Sequence, residues 1–177
     1  MGIIFSIVAA KADDDELEET YKMSVYVHDY SSGGPNSTDI AVVGIPGKIW
    51  SFTQFGTLFV CDDAITEGPE PNSEPVGRVQ GISVTTSLEG IRALVAFSIV
   101  FTNKAYNGST IEVQGNSNQF DSVREYGVAS GTGKFLYAQG YVTYETYFFD
   151  PWTSYAVSRC NISIRMPPRH HWCTLIS

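Results

Sequence analysis

From residue 22 onward, apolar and polar residues alternate with a period of two. Met23, Val25 and Val27 fall on one side of the chain, and Ser24, Tyr26 and His28 on the other. That is the pattern of a strand with one face against a core. Similar patterning predicts seven more strands, over Asp39 to Val43, Phe55 to Asp62, Gly77 to Ser87, Ala93 to Thr102, Ser109 to Gln114, Gly140 to Phe148 and Tyr155 to Arg165. Val95, Phe97, Ile99 and Phe101 form a strongly apolar face, and the opposite face of Ala96, Ser98, Val100 and Thr102 is only semi-polar, so this strand is expected to be covered on both sides. Asn107-Gly108 predicts a tight hairpin turn with positive φ between this strand and the next. Gly131-Thr132-Gly133 marks another turn, and Gly33-Gly34-Pro35, Gly68-Pro69 and Glu74-Pro75 mark loops. No stretch has the period of a helix. Regularly spaced strands of this kind form a sandwich or a closed barrel; a barrel removes sheet edges and can hold one small ligand at its mouth. Periodicity leaves both open.

Composition supports strands and turns: 13% of the 177 residues are aromatic, 16 are glycine and only 17% are charged. The length fits a single domain with a real core. The net charge of -8 is concentrated, because Asp13, Asp14, Asp15, Glu16, Glu18 and Glu19 form one run. Without those six and neighbouring Lys11, 13 acidic residues face 10 basic ones, a balance of -3. Residues 1–20 are therefore read as a solvated, disordered acidic tail behind a short apolar run, Gly2 to Ala10, that looks like the end of a secretory signal and is too short to span a membrane. The remaining body, 21–166, has no electrostatic footprint for nucleic acid. Residues 167–177 form a C-terminal tail.

Three cysteines, Cys61, Cys160 and Cys173, are too scattered for a metal motif and too few for a disulfide scaffold; His170 and His171 beside Cys173 lack the spacing and the fourth partner of a zinc site. No metal and no cofactor are expected. Asn36, Asn107 and Asn161 each open an acceptor triplet for N-glycosylation, which together fit a secreted glycoprotein.

Chemistry-bearing side chains gather at predicted strand ends: His28-Asp29, Asp62-Asp63, Arg124-Glu125, and Tyr141, Tyr144 and Tyr147. Each has an ordinary structural reading as a turn cap, a surface pair or a strand former. Nucleophile elbow, phosphate loop, zinc motif and dinucleotide fingerprint are all missing. Any activity must come from a shaped pocket with a few acids, bases and hydrogen-bond donors.

Ordered motifs carry the reading further. Phe55-Gly56-Thr57, the run Asp62-Asp63-Ala64-Ile65-Thr66-Glu67-Gly68-Pro69 and Val76-Gly77-Arg78-Val79-Gln80-Gly81 are followed by Val100-Phe101, Tyr106-Asn107-Gly108-Ser109-Thr110, Val123-Arg124-Glu125, Ser130-Gly131-Thr132-Gly133-Lys134-Phe135 and Ala138-Gln139-Gly140, with Val27-His28-Asp29 ahead of them. From about Tyr21 to Arg165 the chain resembles the plant dirigent family. The resemblance implies an all-β, eight-stranded antiparallel up-and-down barrel of the allene-oxide-cyclase-like type, with a central pocket, secreted to the apoplast as a homodimer or homotrimer. It implies phenolic partners: monolignol radicals, made by a separate laccase or peroxidase, that couple with one handedness. Some family members instead dehydrate isoflavanols without a cofactor, and others are known through defence, which leaves a phenolic- or glycan-binding module as a third expectation.

By the same resemblance Asp29 is the first-strand aspartate that hydrogen-bonds a phenolic substrate or protonates a quinone-methide-like intermediate. Arg124 is the pocket arginine and Thr146 a pocket threonine. Ser83 and Thr85 stand where lignan-forming members place aromatic residues, and Ser117 stands where a second pocket aspartate is expected. A cysteine usual before the first strand is absent as well, so the terminal disulfide that the family pattern implies cannot form.

Overall fold

The computed structural model describes residues 19–166 apart from residue 32. Expectations for the acidic run, the signal-like segment, Cys173 and the C-terminal tail lie outside the described residues. The strands are β1 (Glu19–Tyr30), β2 (Asp39–Val43), β3 (Leu58–Thr66), β4 (Pro75–Thr85), β5 (Arg92–Phe101), β6 (Thr110–Asn118), β7 (Val123–Gly131), β8 (Gln139–Asp150) and β9 (Tyr155–Met166), with one 3-10 turn at Gly133–Phe135. All pairings are antiparallel, in the order β1-β9-β8-β7-β6-β5-β4-β3-β2, and β1 also pairs with β3. That last pairing closes an eight-stranded barrel, and β2 is an extra strand.

β2 is not a simple appendage. Tyr26, Val27 and His28 of β1 pair with Thr66, Ile65 and Ala64, whereas Asp39 to Val43 of β2 pair with Cys61 to Leu58. The two strands thus follow one another along the same edge of β3. Thr38 joins them: its amide donates to the Tyr30 carbonyl at 2.8 Å, and its Oγ1 accepts from the Tyr30 amide at 3.0 Å.

Two expectations change. β7 was not predicted, because its inward positions Arg124, Tyr126 and Val128 mix polar with apolar and its outward positions include Glu125 and Gly127, which erases the alternation. The tight turn at Asn107-Gly108 is a longer loop, residues 102–109, in which Gly108 has φ +78° but Asn107 does not have positive φ. Extra length lets Tyr106 reach the closed end of the barrel, with its ring 5.5 Å from Phe101 and 5.0 Å from Phe135.

That end is the base. Phe135, fully buried, is carried inward by the 3-10 turn, and Phe101, Tyr106 and Tyr21 pack on it above Ile111, Ile164 and Met166. Gly133 makes the approach feasible: its φ is +59°, and a Cβ would sit 2.6 Å from Ser109 Oγ. At the opposite end, the mouth, the Phe52 backbone is the anchor point: its carbonyl accepts from Thr85 Oγ1 and from Gln119 Nε2, both at 2.8 Å. These bonds fix the β2–β3 loop over the openings of β4 and β6.

Candidate functional site

Inward-facing positions near the mouth differ sharply from the apolar base. Asp29 continues the inward phase of Met23, Val25 and Val27 on β1. Asp39 of β2 faces the same way, opposite Cys61 of β3, and Asp63 lies two residues further along β3. The Asp62-Asp63 pair is therefore mid-strand and caps no turn, because β3 runs on to Thr66. Asp62 points outward to an ion pair with Arg78, and Asp63 points in, 6% exposed.

Burial dominates the electrostatics of this cluster. It raises the Asp29 carboxyl to about 6. It raises Asp39 to about 7, assisted by the neighbouring Asp29 charge. Asp63 is pushed up to about 8 by burial and by its two acidic neighbours, against the opposing hydrogen bond from Thr38 Oγ1 at 2.5 Å. Cys61, beside them, is raised to about 12, first by burial and then by Asp63 and Asp39. Near neutral pH such a cluster holds protons, so it can donate as well as accept them. One oxygen of Asp29 and one of Asp39, both named Oδ1, are buried with no hydrogen-bond partner.

The facing wall is aromatic. Phe97, Tyr126 and Tyr144 form an edge-to-face triangle with centroids 5.7 to 6.2 Å apart. Ser117 Oγ donates to the Tyr126 hydroxyl at 2.8 Å. Arg124 reaches Thr146 Oγ1 at 3.2 Å and the Asp121 carbonyl at 3.4 Å, so the expected Arg124–Glu125 surface pair is replaced by contacts to the neighbouring strand β8 and to the turn before β7. Exposed Ile49, Trp50, Phe52 and Phe120 lie in the β2–β3 and β6–β7 loops at the mouth, whereas exposed Tyr147 and Phe148 pack on Tyr26 and Tyr155.

Among the residues singled out from sequence, Asp29, Ser83 and Ser117 share the inward phase, and Arg124 and Thr146 meet each other. Thr85 does not join them as a free ligand, because its hydroxyl is committed to the Phe52 carbonyl. His28 is structural. Thr66 has one hydroxyl proton, donated to the Gly68 carbonyl at 2.7 Å, so His28 Nε2 donates to Thr66 Oγ1 at 2.7 Å and Nδ1 accepts from the Tyr155 hydroxyl at 2.8 Å. Burial lowers its pKa and favours that neutral form. Sequence reasoning missed Asp39, and it singled out Asp63 and Tyr144 only with ordinary structural readings. Their signal was the inward phase itself: Asp39 and Asp63 flank Cys61 on one face once the β2–β3 register is known.

Asn36 and Asn107 are exposed. Asn161 lies mid-strand, accepting from Ser24 Oγ at 2.9 Å through Oδ1 and donating to Thr143 Oγ1 at 3.3 Å from Nδ2, the atom that would carry a glycan.

A family model described as "Dirigent-like protein" matches residues 20–165. Dirigent protein 1 of Arabidopsis thaliana is 38% identical over 73% of this chain and 71% of its own length. Pterocarpan synthase 1 of Glycine max is 34% identical over 75% of this chain and 72% of its own length. The solved structure of the pterocarpan synthase dirigent protein GePTS1 superposes with a TM-score of 0.74 at 29% identity, covering 84% of this chain and 88% of that one.

Proposed function

Since the chain belongs to the dirigent family, we propose that it binds a phenolic alcohol at the barrel mouth and directs its acid-assisted loss of water and ring closure. The observation that carries this reading is the inward Asp29 carboxyl, raised by burial to about 6 and facing a wall of three aromatic rings. Protonated, it can donate to a departing hydroxyl; ionised, it can accept from a phenol. The Phe97, Tyr126 and Tyr144 rings supply an apolar surface for an aromatic substrate. Similarity to two proteins named as pterocarpan synthases supports the cyclising chemistry. The test is turnover of racemic isoflavanols by the purified chain in the absence of any oxidant, followed by chiral chromatography.

A second reading is stereoselective coupling of monolignol radicals supplied by a laccase or peroxidase. The exposed apolar side chains of the mouth loops, Ile49, Trp50, Phe52 and Phe120, favour it, because they offer contact to more than one ring. The energetic demand is small, since a tenfold preference between mirror-image transition states needs only about 1.4 kcal/mol. Racemic dimers from coniferyl alcohol and laccase at saturating protein would remove it. Secretion to the apoplast accords with the exposed Asn36 and Asn107 triplets. Assembly as a homodimer or homotrimer accords with exposed Ile40, Val60 and Ile82, which pair side by side on the outer faces of β2, β3 and β4.

A further inference from the structure

Loss of water from a phenolic alcohol moves two protons, one onto the leaving hydroxyl and one off the phenol. A single carboxyl can serve only one of these at a time. Ser117, where a second acid was expected, has a hydroxyl already committed to Tyr126. The second carboxyl is on the other wall. Asp39 begins β2 where β1 ends, held there by the Thr38 bonds to Tyr30 and by the Thr38 hydroxyl on Asp63. Its Oδ1 and that of Asp29 are both buried and unpartnered.

An independent observation comes from β8. Tyr144 is 8% exposed, and its hydroxyl interacts with the thiol of Cys160, its partner on the neighbouring strand. It also lies within electrostatic reach of Cys61, the residue opposite Asp39 on β3. Two buried carboxyl oxygens without partners, one on β1 and one on β2, thus lie on the inward side of the mouth. Native interiors rarely leave such atoms unsatisfied, and a ligand bearing hydroxyl groups would satisfy them.

We propose that Asp39 is a second catalytic residue of the mouth, sharing one proton with Asp29 so that the pair presents an acid and a base to the same phenolic alcohol. The proposal rests on the dehydrating reading above. In the forward step the protonated carboxyl gives its proton to the benzylic hydroxyl. The carbon–oxygen bond breaks, its electron pair leaves with water, and the carboxylate takes the phenolic proton, giving a quinone methide. A second hydroxyl of the same molecule then adds to the benzylic carbon. Its proton passes to the carboxylate that gave one up, and the other carboxyl returns its proton to the phenolate oxygen. Water is the only fragment lost, and nothing is oxidised or reduced. Asp63 and Cys61 from β3, Tyr144 from β8 and Cys160 from β9 complete the titratable surroundings, and Arg78 of β4 acts on Asp63 from its outward ion pair.

The test is a carbon-13 titration of the full chain labelled at the aspartate carboxyl carbons, with Asp39→Asn beside the parent. A shared proton requires the Asp29 midpoint to fall by about one unit or more when Asp39 is neutralised; an unmoved midpoint overturns the pairing. Kinetics on a racemic isoflavanol provide the second arm. Asp39→Asn should lower kcat by about 100-fold with KM little changed, and Asp39→Glu should recover part of it. A kcat equal to the parent's overturns the catalytic role. Asp39→Ser repeats both arms if the asparagine variant does not fold. Should the parent turn over no isoflavanol, the dehydrating reading and the catalytic role fall together, while the titration still decides whether the proton is shared.

Discussion

The base and the mouth of the barrel are made by the same strands, but they set different groups inside. At the base, Phe101, Tyr106 and Phe135 fill the space with ring against ring. At the mouth, Asp29, Asp39 and Asp63 face the lumen with pKa values raised to about 6, 7 and 8. The difference teaches that stability and chemistry are separated along one axis: the closed end provides apolar burial, which offsets the cost of burying carboxyls at the open end.

Breaking the base should have the largest effect. Phe135→Ala leaves a cavity among Phe101, Tyr106 and Tyr21 and should cost about 3–5 kcal/mol, read as a lower urea midpoint. A cost below about 1 kcal/mol would mean that the base is not where stability resides.

The next effect is a pH dependence of opposite origin. A carboxyl in the unfolded chain ionises near 4, whereas folded Asp63 holds its proton to about 8. Stability contributed by the protonated group is fully present below pH 4 and is lost as pH rises through that window, after which the deficit is constant. The parent chain should therefore lose a few kcal/mol between pH 4.5 and pH 8.5, as measured by urea denaturation at each pH. Asp63→Asn keeps an oxygen for the Thr38 hydroxyl and should flatten the curve; an unchanged slope would place the titration elsewhere.

Smaller effects sharpen the picture of the mouth. Thr85→Val removes the hydroxyl that holds the Phe52 carbonyl and should cost about 1–2 kcal/mol. It should also speed amide exchange across residues 50–56 selectively. Ser117→Ala removes only the bond to Tyr126 and should cost about 1 kcal/mol or less, seen as a small shift of the same urea midpoint.

Much of this contrast was legible in the sequence, and what was hidden has physical causes. Met23, Val25 and Val27 announced β1, because inward apolar and outward polar positions alternate cleanly there. β7 did not, since Arg124 and Tyr126 face a polar mouth and no longer mark a core face. The dirigent motifs supplied the closed barrel that periodicity alone could not distinguish from a sandwich. Asp29 and Arg124 were found through those motifs, but Asp39 and Asp63 depended on the pairing of β2 and β3, which brings together residues 24 positions apart along the chain. Thr85 shows the reverse error: a residue matched to a pocket position became a structural tie once its loop was in place.

The central claim is that a buried mouth carboxyl performs proton transfer on a phenolic alcohol. The direct measurement is the oxidant-free pH–rate profile of the parent and of Asp29→Asn on a racemic isoflavanol. The account predicts turnover by the parent with a limb near the Asp29 midpoint of about 6, and a loss of about 100-fold or more in the variant at similar KM. Equal rates in the two proteins, or a parent profile that is flat from pH 5 to pH 8, would contradict it.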